Sequence, residues 1–294
     1  MKQVVPDFYP QFSCKAGNCR HTCCSTGWEI DIDDATAAVY TAMPGPIGTA
    51  LRQSMVKNEE GSWQFRLTAE GRCPFLQPDG LCHLVLTIGE DKLCDICALH
   101  PRFYEVVHTA AEPVELGGVG LCCEKSCELL LASDAPLEFI DGTTNRPMSF
   151  AALLASLHIE MTAEQQSYQP IADTAYWQFV LECMEQTEPI NDAWTRQLQS
   201  LSEQLPSIEK TVAGMTKRGL VPCWQRIYQY ILYRQLERCE DLPSSVVAAY
   251  AHLNTTFILL ASSQMGRLDD AVREWSEQIE YDTDNVDLLF DLLA

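Results

Sequence analysis

Fourteen cysteines occur in 294 residues, and eleven of them lie before residue 128. The first group is Cys14-x4-Cys19-x3-Cys23-Cys24. A second comprises Cys73-Pro74-Phe75-Leu76, Cys82 beyond the turn Pro78-Asp79-Gly80, and Cys94-x2-Cys97. A third is Cys122-Cys123 with Cys127, while Cys183, Cys223 and Cys239 stand apart. Loops of two to four residues let two sulfurs reach one centre at about 2.3 Å each. Thiolate-only donors suit zinc or an iron–sulfur cluster and exclude magnesium and calcium. Adjacent thiols such as Cys23 and Cys24 cannot readily chelate one small ion, which predicts two sites or one bridged cluster. Only Cys94-x2-Cys97 has the form of a zinc knuckle, so metal binding is expected and the choice between zinc and iron–sulfur stays open. His21, between Cys19 and Cys23, is a further zinc donor that the surplus of thiols makes unnecessary. The three isolated cysteines read as small buried hydrophobes.

A secreted disulfide scaffold would be short, rich in Cys throughout and preceded by a signal. Residues 1–12 lack a basic start followed by an apolar run, so a cytoplasmic chain with reduced thiols is expected. No run of 18 apolar residues is present, and no bilayer span is expected. Lys and Arg number 20 against 41 Asp and Glu, a formal charge of −21. That balance argues against duplex nucleic acid and anionic membrane as partners and favours a cationic or lysine-bearing one. From residue 128 onward there are 25 of the acids and 10 of the bases. Such a surface either steers a basic partner or simply confers solubility.

The elements that must position the thiols are short. Residues 63–67 alternate as a strand, Pro78-Asp79-Gly80 supplies hairpin chemistry before residues 81–88, and residues 103–108 and 114–121 read as two more strands. Residues 33–55 read as helix, interrupted at Met43-Pro44-Gly45-Pro46. This region buries little apolar surface alone, so metal would contribute folding free energy. Residues 131–147 read as a linker. Beyond it, residues 171–186, 192–204, 222–241, 243–265 and 268–279 have helical periodicity, with Trp177, Phe179, Trp224, Ile227, Tyr228, Ile231 and Leu232 as bundle core. The expected class is α+β: a cysteine-rich metal-nucleated region with short strands at 1–130, a linker at 131–147 and a mainly α-helical region at 148–294. Glu115-Leu116-Gly117-Gly118-Val119-Gly120 is the one Gly-rich run; it lacks a following βαβ unit and reads as a turn beside metal ligands.

The motifs Phe12-x-Cys14-x4-Cys19-x3-Cys23-Cys24-x3-Trp28-x-Ile30, Cys73-Pro74-Phe75-Leu76…Leu81-Cys82, Gly89-Glu90…Leu93…Cys97-x2-His100-Pro101-Arg102 and Cys123 resemble the flagellin lysine-N-methylase family. That family is similar in turn to zinc- or iron-chelating cysteine-cluster proteins. The resemblance covers residues 12–123, with Ile231-Leu232-Tyr233-Arg234 as a further likeness in the helical half. It implies transfer of methyl groups from S-adenosylmethionine to flagellin lysines, with a protein-bound iron–sulfur cluster, 4Fe-4S by expectation. The metal ligands it implies are Cys14, Cys19, Cys23, Cys24, Cys73, Cys82, Cys97 and Cys123. His100 departs from a usual Tyr, Glu124-Lys125 from a usual Pro-Glu, and Cys94, Cys122 and Cys127 read as extra thiols.

Lysine methylation needs a neutral amine aligned with the methyl–sulfonium bond, and a carboxylate, Tyr or His can orient it. Glu90, His100, Arg102 and Tyr104, close in sequence to Cys94 and Cys97, are the catalytic candidates. Trp28 is the candidate for lining a cofactor pocket beside the first thiol group. The three-cysteine radical motif Cys-x3-Cys-x2-Cys is absent, because Thr26 occupies the third position after Cys19 and Cys23. Two further classes stand beside the enzyme: a non-catalytic zinc or iron–sulfur module that binds a basic protein, and a redox or metal-handling protein.

Overall fold

The computed structural model describes residues 2–110, 112–217 and 221–294. Its strands are β1 (Lys2–Pro6), β2 (Asp31–Ile32), β3 (Met55–Lys57), β4 (Trp63–Phe65), β5 (Arg102–Val107), β6 (Val114–Val119), β7 (Glu138–Asp141) and β8 (Arg146–Ser149). Short strands dominate the first half and helices the second, an α+β chain as expected. The chain forms two compact units that do not follow the expected boundaries. Unit 1 contains residues 1–12, 103–122 and 126–294; unit 2 contains 13–102 and 123–125.

Unit 1 carries a five-stranded sheet in the order β5-β6-β1-β7-β8. β1 runs parallel to β6, with Lys2 opposite Val114, and antiparallel to β7, with Val5 opposite Ile140. The segment 131–147 is therefore not a linker. It supplies β7 and the first half of β8, whose alternation is too short to stand out in sequence. The Gly-rich run is not a turn either but the buried strand β6. A Cβ at Gly118 would lie 2.5 Å from the Phe103 ring and 2.7 Å from the Tyr230 hydroxyl. That hydroxyl donates to the Val119 carbonyl at 2.7 Å and accepts from the Val119 amide at 2.9 Å. Glycine at 118 is what lets the aromatic pair approach the strand.

The helices of unit 1 begin with chemistry visible in sequence. Asp173 accepts from the Ala175 amide, Ser149 from Ala152, and Asp282 from Asp284 and Asn285, each satisfying first-turn donors. Helix Asp192–Lys217 continues past its expected end at Gln204 despite Pro206. The buried stripe Leu198, Leu201, Leu205, Ile208 and Val212 continues across the proline and offsets its lost hydrogen bond. Trp177, Trp224, Ile227, Tyr228, Ile231 and Leu232 are core as expected, but Phe179 is 41% exposed, on the outer face of its helix.

Helix Ser244–Met265 is long and apolar enough to cross a bilayer by length and composition, yet it is mostly buried. It packs against helices Val221–Tyr233, Leu268–Trp275 and Asp192–Lys217 as the core helix of the unit. Its Asn254, Thr255 and Thr256 side chains return hydrogen bonds to carbonyls one turn back, which lets polar residues share an apolar helix.

Unit 2 holds an antiparallel sheet in the order β2-β4-β3 and a small core. Ile32, Ala37, Tyr40, Leu51, Met55, Phe65, Phe75 and Leu84 pack with Cys73 and Cys94, and Cys24 and Cys82 lie against them. The helical reading of 33–55 is resolved into Asp34–Ala42 and Gly45–Ser54, broken at the Pro-Gly segment. Residues 81–88 are not a strand: a single bridge joins Leu76 to Cys82, and helix His83–Ile88 follows.

Candidate functional site

Nine thiols belong to unit 2: the eight implied by the resemblance and Cys94. Several local devices gather them. The Cys73 amide donates to the Cys24 carbonyl at 2.8 Å. Gly17 meets the Asp79-Gly80 turn so closely that a Cβ on it would stand 2.7 Å from the Asp79 carbonyl oxygen. The loop bearing Cys14 and Cys19 is thereby seated beside the turn that precedes Cys82.

Asp33 does double duty. One carboxylate oxygen caps Asp34–Ala42 by accepting from Thr36 at 2.8 Å, and the other accepts from the Asp95 amide at 3.1 Å. Those hydrogen bonds, from Thr36 first, hold its carboxyl below the usual range. The second bond anchors the helix Asp95–Leu99 that carries Cys97 and is preceded by Cys94. The Tyr40 hydroxyl donates to the Lys92 carbonyl at 2.8 Å and fixes the approach to the same helix.

The thiols interact in two sets. Cys23 donates its S–H to Cys24, which holds the Cys24 proton loosely, down to about 7, and pushes Cys23 up. Cys14 and Cys123 add to the upward push on Cys23. Burial first, and then Cys123, Cys14 and Glu124, raise Cys19 to about 11 against the opposing charge of Lys15. Cys14, Cys19, Cys23 and Cys123, each within two residues of Glu124 or of a group hydrogen-bonded to it, form an outer set. In the inner set Cys97 donates to Cys94, lowering Cys94 and raising itself, with Cys73 and Cys24 close enough to add to that rise. Burial lifts Cys73 to about 12, with Cys24 and Cys82 contributing. Cys24, hydrogen-bonded to Cys23, thus connects the two sets.

Among the described residues, no three His, Cys, Asp or Glu side chains stand as a formed metal site. The sulfurs meet as hydrogen-bonded pairs. Their donor type nonetheless suits a soft metal, because nine free thiols belong to this one unit. Of the thiols read as extra, Cys127 is a core residue of unit 1 and donates to the Leu121 carbonyl at 2.9 Å. Cys122 is buried in the same unit. Cys94 is different: it is fully buried within the inner set, at the start of the helix bearing Cys97, a placement that its CxxC spacing alone could have flagged.

The five other candidates are dispersed. Trp28 and His100 come together, ring centroids 5.6 Å apart, in unit 2. Burial lowers His100 to about 4, so its imidazole is neutral at pH 7. Glu90 is exposed in the single turn Glu90–Lys92. Arg102 closes the unit-2 segment, half-buried, whereas Tyr104 belongs to unit 1, where its hydroxyl meets that of Tyr9 at 3.1 Å. His21 is exposed, and its backbone amide donates to Glu124. Glu124 is the residue that reading the sequence missed. It is 3% exposed and reaches back to the first thiol loop, with nothing but its position after Cys123 to mark it.

Nine of the fourteen thiols of this α+β chain are thus collected in one unit. The chain belongs to the family of FliU and the lysine-N-methylases. It is 30% identical over 143 residues to the flagellar biosynthetic protein FliU of Salmonella muenchen, covering 46% of this chain and 82% of that protein. Over the same length it is 31% identical to a lysine-N-methylase of Salmonella typhimurium and to one of Salmonella choleraesuis. The match spans 35% of the length of each of those two methylases. No protein-family model and no solved structure matches the chain.

Proposed function

We propose that this chain is a protein lysine N-methyltransferase that uses S-adenosylmethionine and acts on flagellin or another lysine-rich protein. Its relationship to the lysine-N-methylases carries the reading. The excess of 41 acids over 20 bases supports attraction of a lysine-bearing substrate. In the reaction the lysine nitrogen lone pair bonds to the methyl carbon, the carbon–sulfur bond breaks with its electron pair left on sulfur, and the amine proton goes to a base or water.

Cys14, Cys19, Cys23, Cys24, Cys73, Cys82, Cys97 and Cys123 would hold an iron–sulfur cluster, 4Fe-4S by this reading, or zinc in the same donors. Such a cluster supplies a redox-active inorganic centre when bound. The indole face of Trp28 offers a surface for a cationic group such as a sulfonium or an ammonium. Beside it the neutral His100 can accept a hydrogen bond from an amine. Glu90 and Arg102 of the same unit complete the candidate set for orienting the amine; Tyr104 belongs to unit 1.

The test is incubation of the anaerobically purified, metal-loaded chain with methyl-labelled S-adenosylmethionine and flagellin. Label on lysine is expected. Unlabelled lysines in the presence of a loaded thiol centre overturn the enzyme reading. They leave the second reading, a non-catalytic metal module binding a basic protein, which the charge of −21 also favours.

A further inference from the structure

One buried carboxylate holds the first thiol loop from the far end of the thiol-bearing sequence. Glu124 accepts from the Lys15 ammonium with Oε1. Its Oε2 accepts from the backbone amides of Arg20 at 3.0 Å and His21 at 3.2 Å. The Arg20 Nε lies 3.6 Å from Oε1. The sequence positions of these partners matter. Lys15 follows Cys14, Arg20 follows Cys19, His21 lies two residues before Cys23, and Glu124 itself follows Cys123. Every thiol of the outer set is therefore within two residues of a group bound to, or bearing, this carboxylate.

Charge-assisted hydrogen bonds of this kind are about twice as strong as neutral ones. Two amide donors on a single carboxylate oxygen also fix the direction of the loop backbone between Cys19 and Cys23. With Glu124 only 3% exposed, little water is at hand to replace these partners.

We propose that Glu124 is a positioning residue: it latches the loop of residues 14–23 onto Cys123 and so assembles Cys14, Cys19, Cys23 and Cys123 as one soft-metal donor set, separate from the inner set around Cys73 and Cys94. The proposal rests on the reading of these thiols as metal ligands. Glu124 is not itself a ligand in it, because both of its oxygens already serve the loop.

The test uses the full chain, reduced and loaded with zinc as the probe metal, with alkylation of each cysteine followed by mass spectrometry. In the wild type both thiol sets are protected. Glu124→Ala is expected to raise alkylation of Cys14, Cys19, Cys23 and Cys123 by about tenfold or more, the size of effect that follows from losing charged hydrogen bonds. Cys73 and Cys94 stay protected. Glu124→Gln keeps an oxygen acceptor for the Arg20 and His21 amides and reacts more slowly than Glu124→Ala. Unchanged outer labelling in the alanine variant sinks the latch, as does a glutamine variant no better than alanine. Equal exposure of Cys73 and Cys94 also sinks it, since that means general unfolding. Outer thiols unprotected in the wild type refute the metal reading on which the latch stands. A negative methyl-transfer assay, by contrast, leaves the labelling result intact.

Discussion

Cys73 donates its backbone amide hydrogen to the carbonyl of Cys24 at 2.8 Å, so two thiol segments far apart in sequence share one peptide contact. Backbone geometry, rather than side-chain affinity alone, brings the first and second cysteine groups together.

Replacing Cys94 should separate an inner ligand from a bystander. Cys94→Ser is expected to weaken metal retention about tenfold or more, the scale of losing a ligand or its immediate support. Cys127→Ser, whose thiol donates to the Leu121 carbonyl in the core of unit 1, should leave metal content unchanged. Elemental analysis with acid-labile sulfide after chelator challenge decides it, and equal losses in the two variants would refute the assignment of Cys94.

Gly118→Ala places a methyl group 2.5 Å from the Phe103 ring. Overpacking of this kind costs about 1–3 kcal/mol. A lowered denaturant midpoint is expected, and an unchanged midpoint would mean that the ring moves aside freely.

Tyr233→Phe removes the hydroxyl shared by the Val4 and Gly117 carbonyls, both at 2.8 Å. Buried acceptors left without a donor cost about 1–3 kcal/mol. The loss should appear as a lower melting temperature and as faster amide exchange in β1 and β6, the strands this hydroxyl bridges.

Glu237 carries a pH signature. Burial first, and then the Glu105 carboxylate, raise it from 4.5 to about 7, against Arg238 and Arg234. A raised acid binds its proton more tightly in the folded chain, so its contribution is fully present below pH 4.5 and is lost as pH rises through about 7. Glu237→Gln should flatten that decline and stabilise the protein above pH 7 by on the order of 1 kcal/mol. Denaturation midpoints at several pH values between 4.5 and 8 would check it; parallel curves for the two proteins would exclude Glu237 as the source.

His100→Gln is expected to lower methyl transfer by about a hundredfold if the imidazole orients the amine. Thiol-bound metal should be retained, and a loss of metal in step with activity would instead make His100 a support of the thiol unit.

What could be read from the residues was local. The helix starts at Asp33, Asp173 and Asp192, the break at Met43-Pro44-Gly45-Pro46 and the strand at Trp63 all follow from capping, turn and alternation rules. What could not be read depends on distant partners. β1 and β7 are too short to signal their pairing, and the Gly117-Gly118 run resembles a turn until Phe103 and Tyr230 are seen against it. Phe179 fell on the wrong face because periodicity locates an apolar stripe without fixing its edge. The thiol site was legible as a set of residue types. How the loops bearing them are seated was not, because that depends on Asp33, Glu124 and the Gly17 contact, which carry no metal chemistry.

The parallel pairing of β1 with β6 bears on how the molecule is made. Gln3 must wait for Glu115, its partner 112 positions later, to leave the ribosome. At ordinary translation speeds that interval is roughly 6–22 s. By its end residues 13–102, which carry every thiol of unit 2 except Cys123, have been synthesised, while the sheet that closes unit 1 cannot yet exist. The loops bearing those thiols are thus able to fold ahead of the five-stranded sheet.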